Sequence, residues 1–191
     1  MNKLNLQADP RTFIVLGYLI THPDGAATVY DIRKSILAKT SPIVAPSLAL
    51  SPGAFYSLAK RMIKFNLLDM INYNHIKKDA PPLEPQQQVA ASSEGRRLFA
   101  SGLESCLNGM IDINPVMLLD CLFIIKTLIG LSPLAPTIKR LQVRLIGISH
   151  EIETRIQRGI ISGDENLAIF QLESARCAAL VSGVQILVEP S

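Results

Sequence analysis

Leu50-Ser51-Pro52-Gly53-Ala54-Phe55-Tyr56-Ser57-Leu58-Ala59-Lys60-Arg61-Met62-Ile63-Lys64-Phe65-Asn66 is the stretch from which the rest of the chain can be read. Ser51 supplies a hydroxyl able to cap a helix N-terminus, and Pro52 lacks only an N–H that the first turn leaves unbonded anyway. Phe55, Leu58, Met62 and Phe65 then recur at i, i+3, i+7 and i+10, a stripe aimed at a core. Gly53, Ser57, Lys60, Arg61 and Lys64 take the other side. That side is small near the N-terminus and basic further along, so the helix can approach a groove closely while its cations meet phosphates. Asn66 tolerates the left-handed conformation that closes a helix.

Upstream, Asp9-Pro10 repeats the cap-plus-proline signature before the apolar run Phe13 to Ile20, which His22-Pro23-Asp24-Gly25 ends. Thr28 is placed to cap a second helix whose apolar face is Tyr30, Ile32, Ile36 and Leu37. Downstream, Leu67 to Tyr73 and Gln86 to Ala91 read as two strands on either side of a polar, proline-containing segment, and a helix opens at Ser92-Ser93 and runs to about Leu107. Three helices, a hairpin and a closing helix are the order of a winged helix-turn-helix domain, assigned to residues 1–108. From Asn114 the chain changes to helices over about 114–129, 135–158 and 165–187. In the second of these, Ile138, Leu141, Leu145, Ile148, Ile152 and Ile156 keep bundle spacing. Residues 109–191 are thus expected to form an α-helical dimerisation domain. The fold class is mainly α with a small β-hairpin wing (α+β).

At 18% charged and 48% hydrophobic residues, the chain is too apolar for intrinsic disorder and suits a helical protein with a subunit interface. Its net charge of +3 is unevenly spread: residues 1–110 hold 12 Lys+Arg against 8 Asp+Glu (+4), and residues 111–191 hold 7 against 8 (−1). The basic excess belongs to the half that carries the helix at Ser51. The longest apolar stretch, Val116 to Leu131, contains Asp120 and Lys126 and is short of a bilayer span, and the N-terminus has no secretory hydrophobic core. A cytoplasmic protein without membrane contact is expected. Cys106, Cys121 and Cys177 sit among apolar neighbours, as reduced buried thiols do, and no His or Cys pair has metal-ligand spacing. No nucleophile elbow, zinc-protease motif or phosphate loop is present, so no catalysis and no cofactor are expected.

With these residues in view, the chain resembles the PadR family of bacterial transcriptional regulators, in its longer form with a helical C-terminal domain. Leu50 to Met62 is similar to the family's recognition-helix signature, Ile14-Val15-Leu16-Gly17-Tyr18-Leu19 to its first helix, Val29-Tyr30-Asp31-Ile32 to the opening of its second, and Ser92-Ser93-Glu94-Gly95-Arg96 to the element after the wing. It departs at Val29 and Asn66, where the family has glycine, and at Val89, where it has tyrosine. The resemblance implies a homodimer, paired through the C-terminal helices, that binds double-stranded DNA at a palindromic operator and in most cases represses. Ser51, Gly53, Tyr56, Ser57, Lys60, Arg61 and Lys64, with Lys77 and Lys78 from the wing, are the expected DNA contacts. A small-molecule effector is a possible further partner; Met110, Met117, Phe123 and Phe170 are candidate lining residues, with core packing the alternative. The competing function is a winged-helix module that binds protein and no DNA.

Overall fold

The computed structural model describes residues 6–39, 51–71, 83, 86–113, 115–130, 135–162 and 167–188. The elements are α1 (Pro10–Thr21), β1 (Ala26–Thr28), α2 (Val29–Lys39), α3 (Pro52–Lys64), β2 (Leu68–Met70), β3 (Gln88–Ala91), α4 (Ser93–Ile113), α5 (Pro115–Ile129), α6 (Ala135–Ser162) and α7 (Leu167–Val188). The protein is therefore mostly helical with one small antiparallel sheet, and it divides into two compact units, Met1–Ile129 and Gly130–Ser191.

In the first unit α1 is the central post. The Asp9 side chain accepts from the Arg11 N–H and Pro10 follows at the first helical position, which fixes the start. Phe13, Ile14, Val15, Leu16 and Leu19 are all buried, more than one helix face can account for, because α4, α5 and β3 all pack on α1. After α1, Gly25 turns the chain at φ 64°, and Ala26 to Thr28 form a strand absent from the sequence reading. The Thr28 hydroxyl accepts from the Asp31 N–H at 3.1 Å and donates to the Asp31 carboxylate at 2.7 Å, capping α2 as expected.

The sheet has the order β1-β3-β2, both pairings antiparallel, with Ala27 opposite Val89 and Met70 also opposite Val89. The central strand thus lies about 60 residues from one partner in sequence and about 20 from the other. Val89 is fully buried and anchors the sheet to α1.

One expectation needs correction. The sequence puts Tyr30 on the core face of α2, yet it is 57% exposed; the buried stripe is Val29, Ile32 and Ile36. Spacing of three and four from Val29 puts Tyr30 about 100° round the helix from that stripe. The break between compact units falls between Ile129 and Gly130, and Asn108 lies inside α4. Helix α4 runs unbroken to Ile113, and α5 buries Leu118, Cys121, Leu122, Ile124 and Ile125, packing on α1, α2 and α4. An apolar helix that reads as assembly surface is largely core.

In the second unit α6 and α7 pack as an antiparallel pair. Ile138, Leu141 and Leu145 are buried, Ile148, Ile152 and Ile156 half-buried, and Cys177, Leu180 and Val184 bury on the facing side of α7. The Cys177 thiol donates to the Leu145 carbonyl at 3.5 Å. Burial pushes its pKa up. Among the described residues one helix segment, Leu167–Ile186, is long and apolar enough by length and composition to cross a membrane (mean hydropathy 1.3). It is not the stretch Val116 to Leu131 that the sequence singles out.

Candidate nucleic-acid interface

Helix α3 begins where Ser51 and Pro52 place it: the Ser51 hydroxyl accepts from the Ala54 N–H at 3.3 Å. Phe55, Leu58, Ala59 and Met62 are buried where α3 packs on α2 and β2, while Phe65 is only half-buried at the helix end. The helix closes with the Asn66 N–H donating to Ile63 O at 2.9 Å, the Leu67 N–H to Met62 O at 2.8 Å, and Asn66 at φ 56°. This is the paired-carbonyl termination that needs a left-handed residue, supplied here by asparagine.

Ser92 ties this exit to the rest of the unit. Its N–H donates to Leu67 O at 3.2 Å, its hydroxyl donates to Asn66 O, and the same hydroxyl accepts from the Gly95 N–H at 2.9 Å, capping α4. One side chain thus joins the end of α3 to the start of α4. The end of α3 is held to the scaffold by backbone bonds as well as by packing.

On the outer side Gly53, Ser57, Lys60 and Lys64 are exposed at spacings of four, three and four, a single stripe about 17 Å long at 1.5 Å per residue. Arg61 flanks it half-buried, as does Tyr56. A Cβ at Gly53 would meet nothing within 4 Å, so this glycine serves no packing need inside the unit; it keeps the N-terminal end of the stripe low. Residues 50–66 contain no Asp or Glu, so the three cations have no acid on their own helix. Two other cations of the unit are neutralised locally: Arg11 bonds both carboxylate oxygens of Asp9, at 2.7 and 2.8 Å, and Arg97 pairs with Glu94. Among the described residues neither Lys60 nor Lys64 makes an ion pair.

The structure thus brings seven of the nine expected DNA-facing residues onto α3 and its cap. Lys77 and Lys78 lie outside the described residues. Tyr30 and Lys34 are exposed one turn apart on α2, the helix that packs against α3, and neither was expected to be a site residue. The signal is present in the sequence, because fixing the core phase of α2 on Val29, Ile32 and Ile36 throws both residues outward. Of the residues considered for an effector site, Met110 is buried and Phe123 47% exposed in the first unit, Phe170 belongs to the second, and the Met117 side chain lies outside the described residues. Cys106, Cys121 and Cys177 are buried, none joined in a disulfide, and no cluster of three potential metal ligands occurs among the described residues.

No family model, curated protein sequence or solved structure matches this chain.

Proposed function

We propose that the chain is a sequence-specific DNA-binding transcriptional regulator of the winged-helix type, akin to the PadR family, with α3 as its recognition helix. The observation that carries this reading is the exposed, acid-free stripe Gly53, Ser57, Lys60 and Lys64, fixed at both ends by caps. The supporting context is the element order α1-β1-α2-α3-β2-β3 with sheet order β1-β3-β2, in which α3 is backed by α2 and the hairpin. The three departures from the family pattern are accommodated: Val29 and Val89 are fully buried, and Asn66 takes the left-handed backbone of the glycine it replaces.

In this reading the low N-terminal end of α3 enters a major groove. Ser57, Lys60 and Arg61 face base edges or phosphates, and Tyr56, Lys64 and the Gly53 N–H meet the backbone. Lys77 and Lys78, between the two hairpin strands in sequence, are further candidate phosphate contacts. Two copies paired through the second unit present two such helices to a palindromic operator, and occupation of a promoter represses transcription. The protein acts in the cytoplasm, needs no cofactor and is not an enzyme; α7 is apolar for assembly, since Glu173 and Arg176 would sit mid-span in a bilayer.

The test is selection of bound duplexes from a random pool by the purified chain, followed by affinity measurements with Lys60→Ala and Arg61→Ala on the selected site. Each substitution is expected to weaken binding by about tenfold or more. Unchanged affinity in both variants would overturn the assignment of α3, and an empty selection would favour a protein-binding module.

A further inference from the structure

Helix α7 is largely apolar and has no continuous polar face, its few polar residues being spread round it, yet its packing within the unit uses one face only. Cys177, Leu180 and Val184 bury against α6. On the opposite face Ala168, Leu172, Ala175, Ala179, Ser182 and Ile186 follow at spacings of four, three, four, three and four. All six are exposed, Leu172 at 61% and Ile186 at 69%. That is an unbroken heptad seam without a charge, about 27 Å long.

We propose that this seam is covered by the same seam of a second copy, running antiparallel about a two-fold axis at the level of Cys177. The proposal rests on the dimeric reading given above and specifies its interface. The order of side-chain sizes along the seam argues for it. Antiparallel pairing at this level sets Ala168 against the partner's Ile186, Leu172 against the partner's Ser182, and Ala175 against the partner's Ala179. Every layer then joins large to small or small to small, and the helices can approach evenly along their length. Parallel pairing stacks Leu172 on Leu172 and Ile186 on Ile186, wedging the helices apart and leaving voids at the alanine layers. The antiparallel register also places Gln171 beside the partner's Gln185 on one edge, twice by symmetry, where the two amides can exchange hydrogen bonds. The two Arg176 side chains come together beside the axis, each three residues after Glu173 of its own helix, which offsets their like charge. A strip of this length on a helix 10–12 Å across buries on the order of 1,000 Å² over both copies, the lower end for a specific dimer.

Sedimentation equilibrium of the full chain without DNA, with and without Leu172→Glu, tests the seam. The native chain is expected to be a dimer at micromolar concentration. Leu172→Glu is expected to raise the dissociation constant at least 100-fold while helix content by circular dichroism stays unchanged, because Leu172 points away from the core of its own unit. Register is read by spin-labelling Gln185→Cys, the native thiols being buried. The antiparallel pair sets the two labelled backbones about 24 Å apart along the helices, whereas a parallel pair sets them level, about 10 Å apart.

A dimer that Leu172→Glu leaves intact, or a short label distance, would overturn this seam while leaving the dimeric reading standing. A native chain that remains monomeric would overturn both. Cosedimentation of the native chain with phosphatidylcholine vesicles, abolished in Leu172→Glu, would assign the face to lipid and overturn the proposal. DNA binding by α3 is judged separately, by the Lys60 and Arg61 variants.

Discussion

Gly95 shows how one residue can be fixed by its neighbours and not by its own conformation. It lies in the first turn of α4, where alanine would favour the helix by about 1 kcal/mol. A Cβ there would run into the Leu67 carbonyl oxygen and come within 2.9 Å of Leu16 Cδ2. The Leu67 carbonyl cannot yield easily, because it accepts the Ser92 N–H and belongs to the backbone that closes α3. The steric term therefore wins: Gly95→Ala is expected to lower stability by about 1–3 kcal/mol, read as a lower urea midpoint at unchanged slope. Cys106 makes a second residue-level case. Its thiol donates to the Ala8 carbonyl at 3.6 Å, and burial, with the Asp9 carboxylate adding to it, raises its pKa from 9.0 to about 12. The unfolded chain ionises this thiol first, so its contribution to stability is full below about pH 9 and falls away as pH rises from there to about 12. Cys106→Ala is expected to flatten the alkaline limb of stability against pH in that window; an unchanged limb would show that other groups control it.

Among elements, α3 is the most legible because its signals are local. Ser51 and Pro52 state where it begins, four apolar residues at helical spacing state which face is buried, and Asn66 states where it ends. Asn66→Gly is expected to leave stability nearly unchanged, whereas Asn66→Val, which brings a β-branched side chain to φ 56°, is expected to cost about 1–3 kcal/mol in equilibrium unfolding. A similar cost from both would place the role of Asn66 in its side chain and not in its backbone. Strand β1 is not legible for the opposite reason. Ala26-Ala27-Thr28 has neither a β-branched run nor apolar alternation, and it is a strand only because β3, about 60 residues later, offers the partner edge. Tyr30 is misplaced by a related ambiguity. A short helix with aromatic and aliphatic residues on adjacent faces has two plausible core phases, and the buried Val29 decides between them.

At the scale of the whole molecule, the sequence shows two kinds of segment but not where the joint lies. Helix α5 has no polar face to reveal what it packs against, so composition groups it with the helices that follow. The structure instead closes the first unit with it, and the break falls at Gly130, which has φ 85°. A fragment ending at Ile129 is therefore expected to unfold cooperatively. One ending at Asn108 forgoes the burial of Leu118, Cys121, Leu122, Ile124 and Ile125. At ~1.5–3 kcal/mol per side chain that is on the order of 10 kcal/mol, comparable with the stability of a whole domain. The shorter fragment is expected to be unfolded by circular dichroism and proton NMR, and a folded fragment 1–108 would support the boundary read from the sequence.

The site is legible in the same uneven way. The cations of α3 stand out in the sequence, but only the fold shows that Lys60 and Lys64 share one exposed stripe while Arg11 and Arg97 are occupied by Asp9 and Glu94. The most direct measurement of the central claim is the salt dependence of binding to a selected duplex. If α3 and its cap bind as proposed, the logarithm of the association constant falls linearly with the logarithm of salt concentration, and Lys60→Ala makes the slope shallower by about 1, the share of a single neutralised phosphate. A slope near zero, or one that Lys60→Ala leaves unchanged, would contradict the account.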